Sequence, residues 1–521
     1  MPSQFDGTMQ QLASKAHVPA KAQFWDLPDE ILGIVFDNLD VYEMKTMSLV
    51  CKRWCKVVFC GPRMDKVCIT VRCDINDQYY KILLKTTRIY RHINLSPGSE
   101  RMVFDDLIQF LRKLKNSVHS LKICPTFHVT LNQLRLILLE VSNLQQLSVH
   151  TIAPYANFEQ MNERHEPFPS LSKLTYLCIG KESSELPFDE FSIRTIAFHL
   201  KCLDMHCDSK DQLNVFRHFS GQLKFVRVVF ATKDYFDRFF ELIFADLNEL
   251  EILDNCYEKK PDCEFFRSLT SLRRLTLRCH LSKRAIQIIT SCCPELTFLH
   301  IHTQMLDEKS LTSLAELTKL QTVKLEGWFP KDTFYGCKLI ASLESLHLHD
   351  GVFMFRYIPK DLNFFNDLLK VAPQLSHLEI GCPLSDDSLL LFICDKFKHL
   401  RCLKLRFRFG ITTDGLTRID QLPLLKELQL GPWDVSVASR NLFVRIPLNN
   451  VQRLSLVEST DLMDDDLLKI PEVFPKLQKL CVARCRSISE AVVVRLRTLR
   501  LTCRIDINGK RFYPDHASIT E

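Results

Sequence analysis

One short hydrophobic pattern recurs along most of the chain: an apolar residue, two variable residues, a second apolar residue, one variable residue and a third apolar residue. Seventeen copies begin at Met64, Tyr90, Val118, Leu144, Leu174, Leu200, Leu223, Leu247, Leu272, Leu296, Leu320, Leu343, Leu375, Leu400, Leu425, Val451 and Leu477. Their mean spacing of about 26 residues lies inside the range of about 20–29 residues that leucine-rich repeats show. The pattern therefore predicts a repeat array in which each copy contributes one short strand.

A stretch of helical length follows the strand in several periods. The predicted helices cover residues 101–115, 234–246, 284–292, 309–317 and 490–499. Asp307 stands where an N-cap is expected before one of them, and Ser487 with Glu490 has the spacing of a capping box before another. One strand and one helix per period predict a curved parallel sheet with helices outside, because a single repeat cannot bury its own leucines and stacked neighbours supply a continuous core.

Residues 24–62 do not fit the repeat and predict three short helices, at 24–32, 40–48 and 50–59. Pro28 suits a first helical position, and Asp40 with Glu43 has capping-box spacing before the second helix. About forty residues cannot bury all of their apolar side chains internally. We therefore expect the first repeat or a partner to cover part of this apolar surface.

The order and spacing of residues in this segment resemble an F-box. The resemblance is carried by Leu27, Pro28, Asp29, Glu30, Ile31, Leu32, Phe36, Leu39, Val50, Cys51, Lys52, Arg53 and Trp54, with Met44 where Leu is usual. A different interpretation of the same segment is a purely structural cap, which a solenoid also needs.

Residues 63–503 resemble the leucine-rich-repeat horseshoes, although only Asn255 and Cys485 match the usual Asn or Cys at the ninth repeat position. The chain from 24 to 503 thus resembles the F-box/leucine-rich-repeat family of substrate receptors in SCF ubiquitin ligases. The fold class that this implies is α/β, with a small all-helical F-box before a leucine-rich-repeat solenoid.

Four segments follow from these patterns. We expect a flexible tail at 1–22, the F-box at 23–62, about 17 repeat strands at 63–503 and a C-terminal segment at 504–521. In the last segment, either residues 504–508 add an edge strand or residues 511–513 fold back; the sequence leaves both possibilities open.

The resemblance implies a receptor that works without catalytic residues. Its F-box would bind the SKP-family adaptor, which links it to a cullin and a RING subunit, while the repeats hold a protein substrate near the conjugating enzyme. The residues that the motif assigns to the adaptor face are Leu27, Pro28, Ile31, Leu32, Phe36, Leu39, Val41, Met44, Cys51 and Trp54.

In each predicted strand, the residue between the second and third apolar positions points away from the helices. These residues form a column of Lys122, Ser148, Cys178, Asp204, Arg227, Glu251, Thr276, His300, Lys324, His347, Glu379, Lys404 and Gln429. Asp204, Arg227 and Glu251 alternate in charge and are expected to form a ladder of ion pairs.

Basic and aromatic residues of the later repeats form the candidate substrate site. They are His300, His302, Lys324, Trp328, His347, His349, Phe355, Arg356, Tyr357, His377, Lys404, Arg406, Arg408 and Trp433. Such residues suit an acidic or phosphorylated segment, with aromatic anchors on the loops. The alternatives are a solvated polar surface and aromatic rings packed inside the repeats. A zinc site of four histidines is disfavoured because Lys324 lies between the two pairs, so neither a metal nor a cofactor is expected.

Composition narrows the classes of partner. A net charge of +6 over 521 residues is too dilute to indicate nucleic-acid binding, and the sequence holds no glycine-rich phosphate loop and no HExxH motif. No apolar run reaches the roughly 18 residues of a membrane span. The 21 cysteines are odd in number and show no CxxC spacing and no secretory leader, which predicts reduced thiols. We therefore expect a cytoplasmic or nuclear protein with no nucleic-acid or membrane partner.

Other functions stay open at this point. The repeats would also suit a scaffold or inhibitor that acts outside a ligase, or a sensor of a small phosphorylated anion. An enzyme in its own right is the least supported, because no combination of nucleophile, base and acid stands out in the sequence.

Overall fold

The structure is a computed structural model. It describes residues 27–72, 82–96, 104–125, 127, 129–150, 167–180, 190–231, 235–254, 263–279, 281–303, 312–327, 340–350, 362–384, 387–407, 413–431, 448, 450–458, 462–499 and 504–512. The chain forms two compact units, Met1–His199 and Leu200–Glu521.

The first unit begins with three helices, α1 (Asp29–Phe36), α2 (Val41–Ser48) and α3 (Lys52–Val58), and a 3₁₀ helix at Gly61–Lys66. The capping box predicted for α2 is confirmed. The Asp40 carboxylate accepts from the Glu43 backbone N–H at 2.8 Å, and the Glu43 carboxylate accepts from the Asp40 N–H at 2.8 Å. These two bonds satisfy two of the free N–H groups at the start of the helix.

Five parallel strands follow in the first unit: β1 (Cys68–Arg72), β2 (His92–Ser96), β3 (Ser120–Ile123), β4 (Gln146–Val149) and β5 (Tyr176–Ile179). Each pairs in parallel with the next. The helices α4 (Phe104–Leu114) and α5 (Leu131–Leu139) lie between these strands, with a 3₁₀ turn at Lys115–Ser117, and α6 (Glu190–Ile196) follows β5. Strand and helix therefore alternate as the repeat pattern predicts.

The second unit continues the same alternation. Its strands are β6 (Cys202–His206), β7 (Phe225–Phe230), β8 (Glu249–Asp254), β9 (Arg274–Arg278), β10 (Phe298–Thr303), β11 (Thr322–Gly327), β12 (Ser345–Asp350), β13 (His377–Leu384), β14 (Cys402–Phe407), β15 (Glu427–Leu430), β16 (Arg453–Val457), β17 (Lys479–Ala483), β18 (Arg504–Ile507) and β19 (Lys510–Phe512). β6 to β18 pair in parallel in chain order, and β19 pairs antiparallel with β18.

The described helices of the second unit vary in length from four to ten residues. They are α7 (Lys210–Phe219), α8 (Phe236–Phe239), α9 (Lys283–Cys292), α10 (Leu362–Val371), α11 (Asp387–Lys396), α12 (Thr413–Thr417), α13 (Asp464–Leu467), α14 (Ile470–Val473) and α15 (Val492–Thr498), with 3₁₀ helices at Cys263–Ser268 and Arg418–Gln421. None of the helices in the described part of the chain combines the length and apolar character that a bilayer span requires.

The core is built from the apolar positions of the pattern. On β9 and β10, Leu275, Leu277 and Leu299 are fully buried, while the side chains between them are more exposed. Around β7 and α8 the core is aromatic: the rings of Phe230 and Phe236 lie 5.0 Å apart in an edge-to-face arrangement. Stacking each repeat on its neighbours removes these side chains from water, which a single repeat cannot do.

Several details differ from the sequence expectations. The helix expected at 24–32 runs over Asp29–Phe36, and Pro28 is its N-cap residue rather than its first helical residue. The first copy of the pattern does not begin at Met64: Ile69 and Val71 pair with Ile93 and Leu95, so the register starts two residues later. Met64 is buried because it belongs to the preceding 3₁₀ helix. The helix expected at 234–246 is one turn long, because aromatic residues pack there in turns rather than on a continuous helical face.

The helix expected at 490–499 begins at Val492, and its N-cap Ala491 has no side-chain cap, so the proposed Ser487–Glu490 capping box does not start it. Asp307 and residues 309–311 lie outside the described residues. At the C-terminus both open possibilities occur together: a parallel edge strand, β18, is followed by the fold-back strand β19. Asn508 and Gly509 form the two-residue turn between them with φ of 45° and 90°, the left-handed values that such a hairpin requires.

Candidate functional sites

The three N-terminal helices share one small hydrophobic core. Its buried members are Leu32, Phe36, Met44, Trp54, Val57 and Val58. The rings of Phe36 and Trp54 meet edge to face with centroids 5.4 Å apart. This core draws on all three helices, so it fixes their mutual orientation.

Two arginines tie the same helices together through polar contacts. Arg53 of α3 donates to the Asp29 carboxylate at 2.7 Å and to the Leu27 carbonyl at 2.6 Å. Arg63 donates to the carbonyls of Val57 and Gly33 and to the Asp37 carboxylate at 2.8 Å. The start and the end of α1 are thereby each anchored by a guanidinium group, which suits several acceptors at once.

Six large apolar side chains of this helical unit stay exposed to solvent. They are Ile31, Ile34, Val35, Val41, Leu49 and Val50, located on α1, at the first residue of α2 and in the turn between α2 and α3. Leu49 is 72% exposed and Ile34 is 62% exposed. So much apolar surface on so short a segment marks an interaction site.

The ten predicted adaptor-face residues fall into three groups. Pro28, Ile31, Val41 and Cys51 are exposed, and Leu27 and Leu39 are half-buried. Leu32, Phe36, Met44 and Trp54 require a correction: they are buried in the core of the three helices and present almost no surface to a partner.

Four exposed apolar residues were not predicted as part of the adaptor face: Ile34, Val35, Leu49 and Val50. The available signal was an excess of apolar residues on α1. A helix that buries one stripe uses positions such as Leu32 and Phe36, four residues apart, and further apolar residues between them must face elsewhere.

In the second unit, the column predicted from the pattern is present. The register aligns Asp204, Arg227, Glu251, Thr276, His300, Lys324, His347, Glu379, Lys404 and Gln429 on successive strands. The predicted ladder is confirmed, since Arg227 lies 3.5 Å from the Asp204 carboxylate and 3.5 Å from the Glu251 carboxylate. We call the sheet face that carries these residues the column face.

Three histidines of the column face lie close to carboxylates. Nε2 of His300 lies 3.0 Å from Oε1 of Glu326, outside hydrogen-bond geometry. Nδ1 of His347 lies 2.6 Å from Oε2 of Glu379, and Nε2 of His349 lies 2.9 Å from Oε1 of the same residue. Each oxygen of the Glu379 carboxylate thus meets one imidazole ring.

Lys404 is shared between two carboxylates of neighbouring strands. Its Nζ lies 3.9 Å from Oε2 of Glu379 and 3.6 Å from Oε1 of Glu427. Lys324, on the other side of His347, holds its Nζ 5.7 Å from the centre of the Phe298 ring. Both lysines therefore have partners within the protein.

The pKa values of these groups follow from their surroundings. The contact with His300 lowers the pKa of Glu326 to about 2, against the opposing effect of burial. Burial raises the pKa of the Glu379 carboxyl, but the bonds from His347 and His349 outweigh it and hold that pKa well below its usual range. Burial lowers the pKa of His302 and of His377, which disfavours their charged forms.

The candidate substrate residues are thus only partly brought together. His300, His302, Lys324, His347, His349, His377, Lys404 and Arg406 lie on β10 to β14. Trp328, Phe355, Arg356, Tyr357, Arg408 and Trp433 lie outside the described residues. Glu326 and Glu427, which sequence reasoning did not include, neutralise much of the predicted basic patch. The sequence did contain a signal that Glu326 lies on the column face. Glu326 stands two residues after Lys324 on the same strand, and such residues share one face of a sheet.

Residues 24–69 match the F-box-like family model. The N-terminal module is an F-box-like domain. The F-box-like domain includes α1, α2, α3 and the 3₁₀ helix and extends into β1, where the repeats begin. With the parallel strands that follow, the chain has an α/β fold in which an F-box-like helical region precedes leucine-rich repeats.

The solved structures that are similar to the chain include the following three. One is a TLR13–ssRNA13 complex, at 16% identity and a TM-score of 0.38, covering 80% of this chain and 58% of that chain. The second is a leucine-rich-repeat protein of Leptospira interrogans, at 16% identity and a TM-score of 0.30, covering 91% of this chain and 98% of that one. The third is the Rad7–Elc1 complex of yeast, at 14% identity and a TM-score of 0.34, covering 94% of this chain and 96% of that one. No curated protein sequence matches the chain.

Proposed function

We propose that this chain is the substrate-recognition subunit of an SCF-type cullin–RING ubiquitin ligase. In this proposal, the F-box-like domain binds an SKP-family adaptor, which brings in the cullin and the RING subunit, and the repeats bind a protein substrate. The observation that carries the proposal is an F-box-like domain with six large exposed apolar residues on α1, α2 and the turn after α2.

The separation of buried from exposed apolar residues within the domain supports this proposal. Leu32, Phe36, Met44 and Trp54 form the internal core, while residues such as Ile34 and Leu49 face solvent. Covering apolar surface gains about 25 cal/mol per Å², so an apolar partner groove would stabilise the complex without any change in the domain core.

The proposed role requires no catalytic residue of the chain itself. The ligase raises the effective concentration of substrate lysines near the charged conjugating enzyme, and the receptor contributes binding and orientation. The proposal places the protein in the cytoplasm or nucleus, with protein partners rather than nucleic acid or membrane. Turnover of its substrate by ubiquitin-dependent degradation is part of the proposal.

Co-expression with an SKP-family adaptor tests the proposal by size-exclusion chromatography. The test variant is Leu49→Asp with Val50→Asp, because both side chains are exposed and their replacement leaves the domain core intact. The matched control is Ile243→Asp with Val494→Asp, two exposed apolar residues of the second unit.

We expect the parent chain and the control to elute with the adaptor and the test variant to elute alone with an unchanged melting temperature. A folded parent chain that does not bind the adaptor would contradict the receptor function. It would favour a leucine-rich-repeat scaffold that acts outside a ligase.

A further inference from the structure

Two histidines and one carboxylate converge on the column face of β12 and β13. His347 and His349 are two residues apart on β12, so their side chains leave the same face of the sheet. Glu379 is the register partner of His347 on β13. Ligand atoms of these three residues all lie within 4.8 Å of one another, the one such group of three in the described part of the chain.

We infer that His347, His349 and Glu379 form a binding site for a divalent transition-metal ion of the zinc type. Two imidazole nitrogens and one carboxylate oxygen are a donor set that suits Zn²⁺ and related ions of intermediate softness. The zinc site that the sequence disfavoured used four histidines with Lys324 between the two pairs. The present set instead uses two neighbouring strands and a carboxylate.

The distances are compatible with such an ion after small movements. Ligands at about 2.0–2.1 Å from a tetrahedral metal lie about 3.3 Å from each other. The Glu379 oxygens are 2.6 Å from Nδ1 of His347 and 2.9 Å from Nε2 of His349. An entering ion would lengthen the distance between the carboxylate oxygen and each ring nitrogen by less than about 1 Å. It would replace the protons that now bridge them.

Residues around the site orient both rings. Ser345 Oγ lies 2.9 Å from Nε2 of His347, which fixes that ring with its Nδ1 toward Glu379. The ring of His349 lies over Gly381, where an added Cβ would stand 2.3 Å from Nδ1 of the histidine. A hydroxyl that holds the distal nitrogen of a ligand and a glycine that makes room for a ring are outer-shell features that orient metal ligands.

The site is open enough for an ion to reach it. The side chains of His347, His349 and Glu379 are 15%, 23% and 18% exposed. The nearest competing cation is Lys404, which is also drawn toward Glu427. Three protein ligands leave a fourth coordination position, which water or a donor atom of a bound partner would fill. This inference stands independently of the proposed ligase function.

Zinc titration of the full chain tests the inference directly. The chain is first stripped with a chelator and its exposed thiols are alkylated, so that surface cysteines do not bind the added metal. Calorimetry with Zn²⁺ should then show one site, and Co²⁺ should give the visible absorption of a tetrahedral complex. We expect His349→Ala and Glu379→Gln each to weaken Zn²⁺ binding by at least about a hundredfold and Ser345→Ala by about ten- to a hundredfold.

His300→Ala is the matched control, because His300 also faces a carboxylate on the column face but lies on β10. It should bind Zn²⁺ with the affinity of the parent chain. Gly381→Ala, which displaces the ring of His349 without removing a ligand, should weaken binding as well. If the parent chain binds no Zn²⁺, or if the folded ligand variants bind it as tightly as the parent, the inference is overturned.

Discussion

The ring of Trp54 packs edge to face on the ring of Phe36, with centroids 5.4 Å apart, and joins α3 to α1. Trp54 is 6% exposed and Phe36 is 1% exposed. The contact is therefore internal to the F-box-like domain. A substitution at Trp54 should act on the folding of the domain before it acts on any partner.

We expect Trp54→Ala to destabilise the F-box-like domain by about 3–5 kcal/mol, because it removes a large buried side chain and leaves a cavity. Limited proteolysis should then cleave within residues 27–59, while the repeats resist. Ile34→Ala, at a side chain that is 62% exposed, should change stability by less than about 0.5 kcal/mol. Equal protease resistance in the parent chain and the Trp54 variant would contradict the role of this ring pair.

Arg63 should contribute more to the stability of the F-box-like domain than an ordinary surface arginine does. It donates to the carbonyls of Val57 and Gly33 and to the Asp37 carboxylate, and its side chain is only 12% exposed. Arg63→Ala should lower the urea midpoint clearly, and Arg63→Lys should recover little, because one ammonium group cannot reproduce the guanidinium fork. Lys45→Ala, in the last turn of α2, serves as the control. If Arg63→Lys restored the urea midpoint of the parent chain fully, the positive charge alone would explain the stabilisation by Arg63.

The cysteines should divide sharply in their reactivity. Burial raises the pKa of the Cys293 and Cys394 thiols to about 12, and both are fully buried. Cys51 and Cys60 are exposed. We expect iodoacetamide to modify Cys51 and Cys60 in the native chain and to reach Cys293 and Cys394 only in urea, because the thiolate is the reactive form. Peptide mass spectrometry measures the order of modification, and early modification of Cys394 would contradict the described core.

Glu326 should make the stability of the second unit depend on pH. It faces His300, Arg278 and His349, and its pKa of about 2 lies below the ordinary value of 4.5. The unfolded chain therefore binds this proton more tightly, so the contribution of Glu326 is present above pH 4.5 and is lost as the pH falls toward 2. Glu326→Gln should lower the urea midpoint at pH 7, and the difference from the parent should shrink below pH 4.5.

The exposed Glu316 provides the control for this pH dependence. Glu316→Gln should give nearly the same midpoint as the parent at every pH. A difference between the parent and Glu326→Gln that stays constant from pH 7 to pH 3 would exclude the carboxylate as its source.

The repeat register was readable from the sequence because buried leucines recur at fixed positions in each period. The prediction was wrong at Met64, because this residue of a 3₁₀ helix is apolar and stands at the expected spacing by coincidence. Asn-Gly between apolar runs is also a strong hairpin signal, although our sequence prediction left the C-terminal segment open between an edge strand and a fold-back.

The candidate sites were harder to predict from the sequence. An apolar residue in a short helix has the same appearance whether it is buried like Leu32 or exposed like Leu49, and only the packing of three helices separates the two. In the same way, basic residues such as His347 and Lys404 suggested an anion site. The predicted column already placed Glu379 between them, but only the structure shows that its carboxylate contacts both side chains. Side-chain pairing across strands depends on register and rotamer, which one strand alone does not determine.

Hydrogen–deuterium exchange of the full chain, alone and with an SKP-family adaptor, tests most directly whether the F-box-like domain binds the adaptor. We expect the adaptor to slow exchange in α1, α2 and the turn at Leu49 and Val50, while exchange in β6 to β18 stays unchanged. Protection confined to the repeats, or none at a concentration that saturates a known F-box partner of the same adaptor, would contradict it.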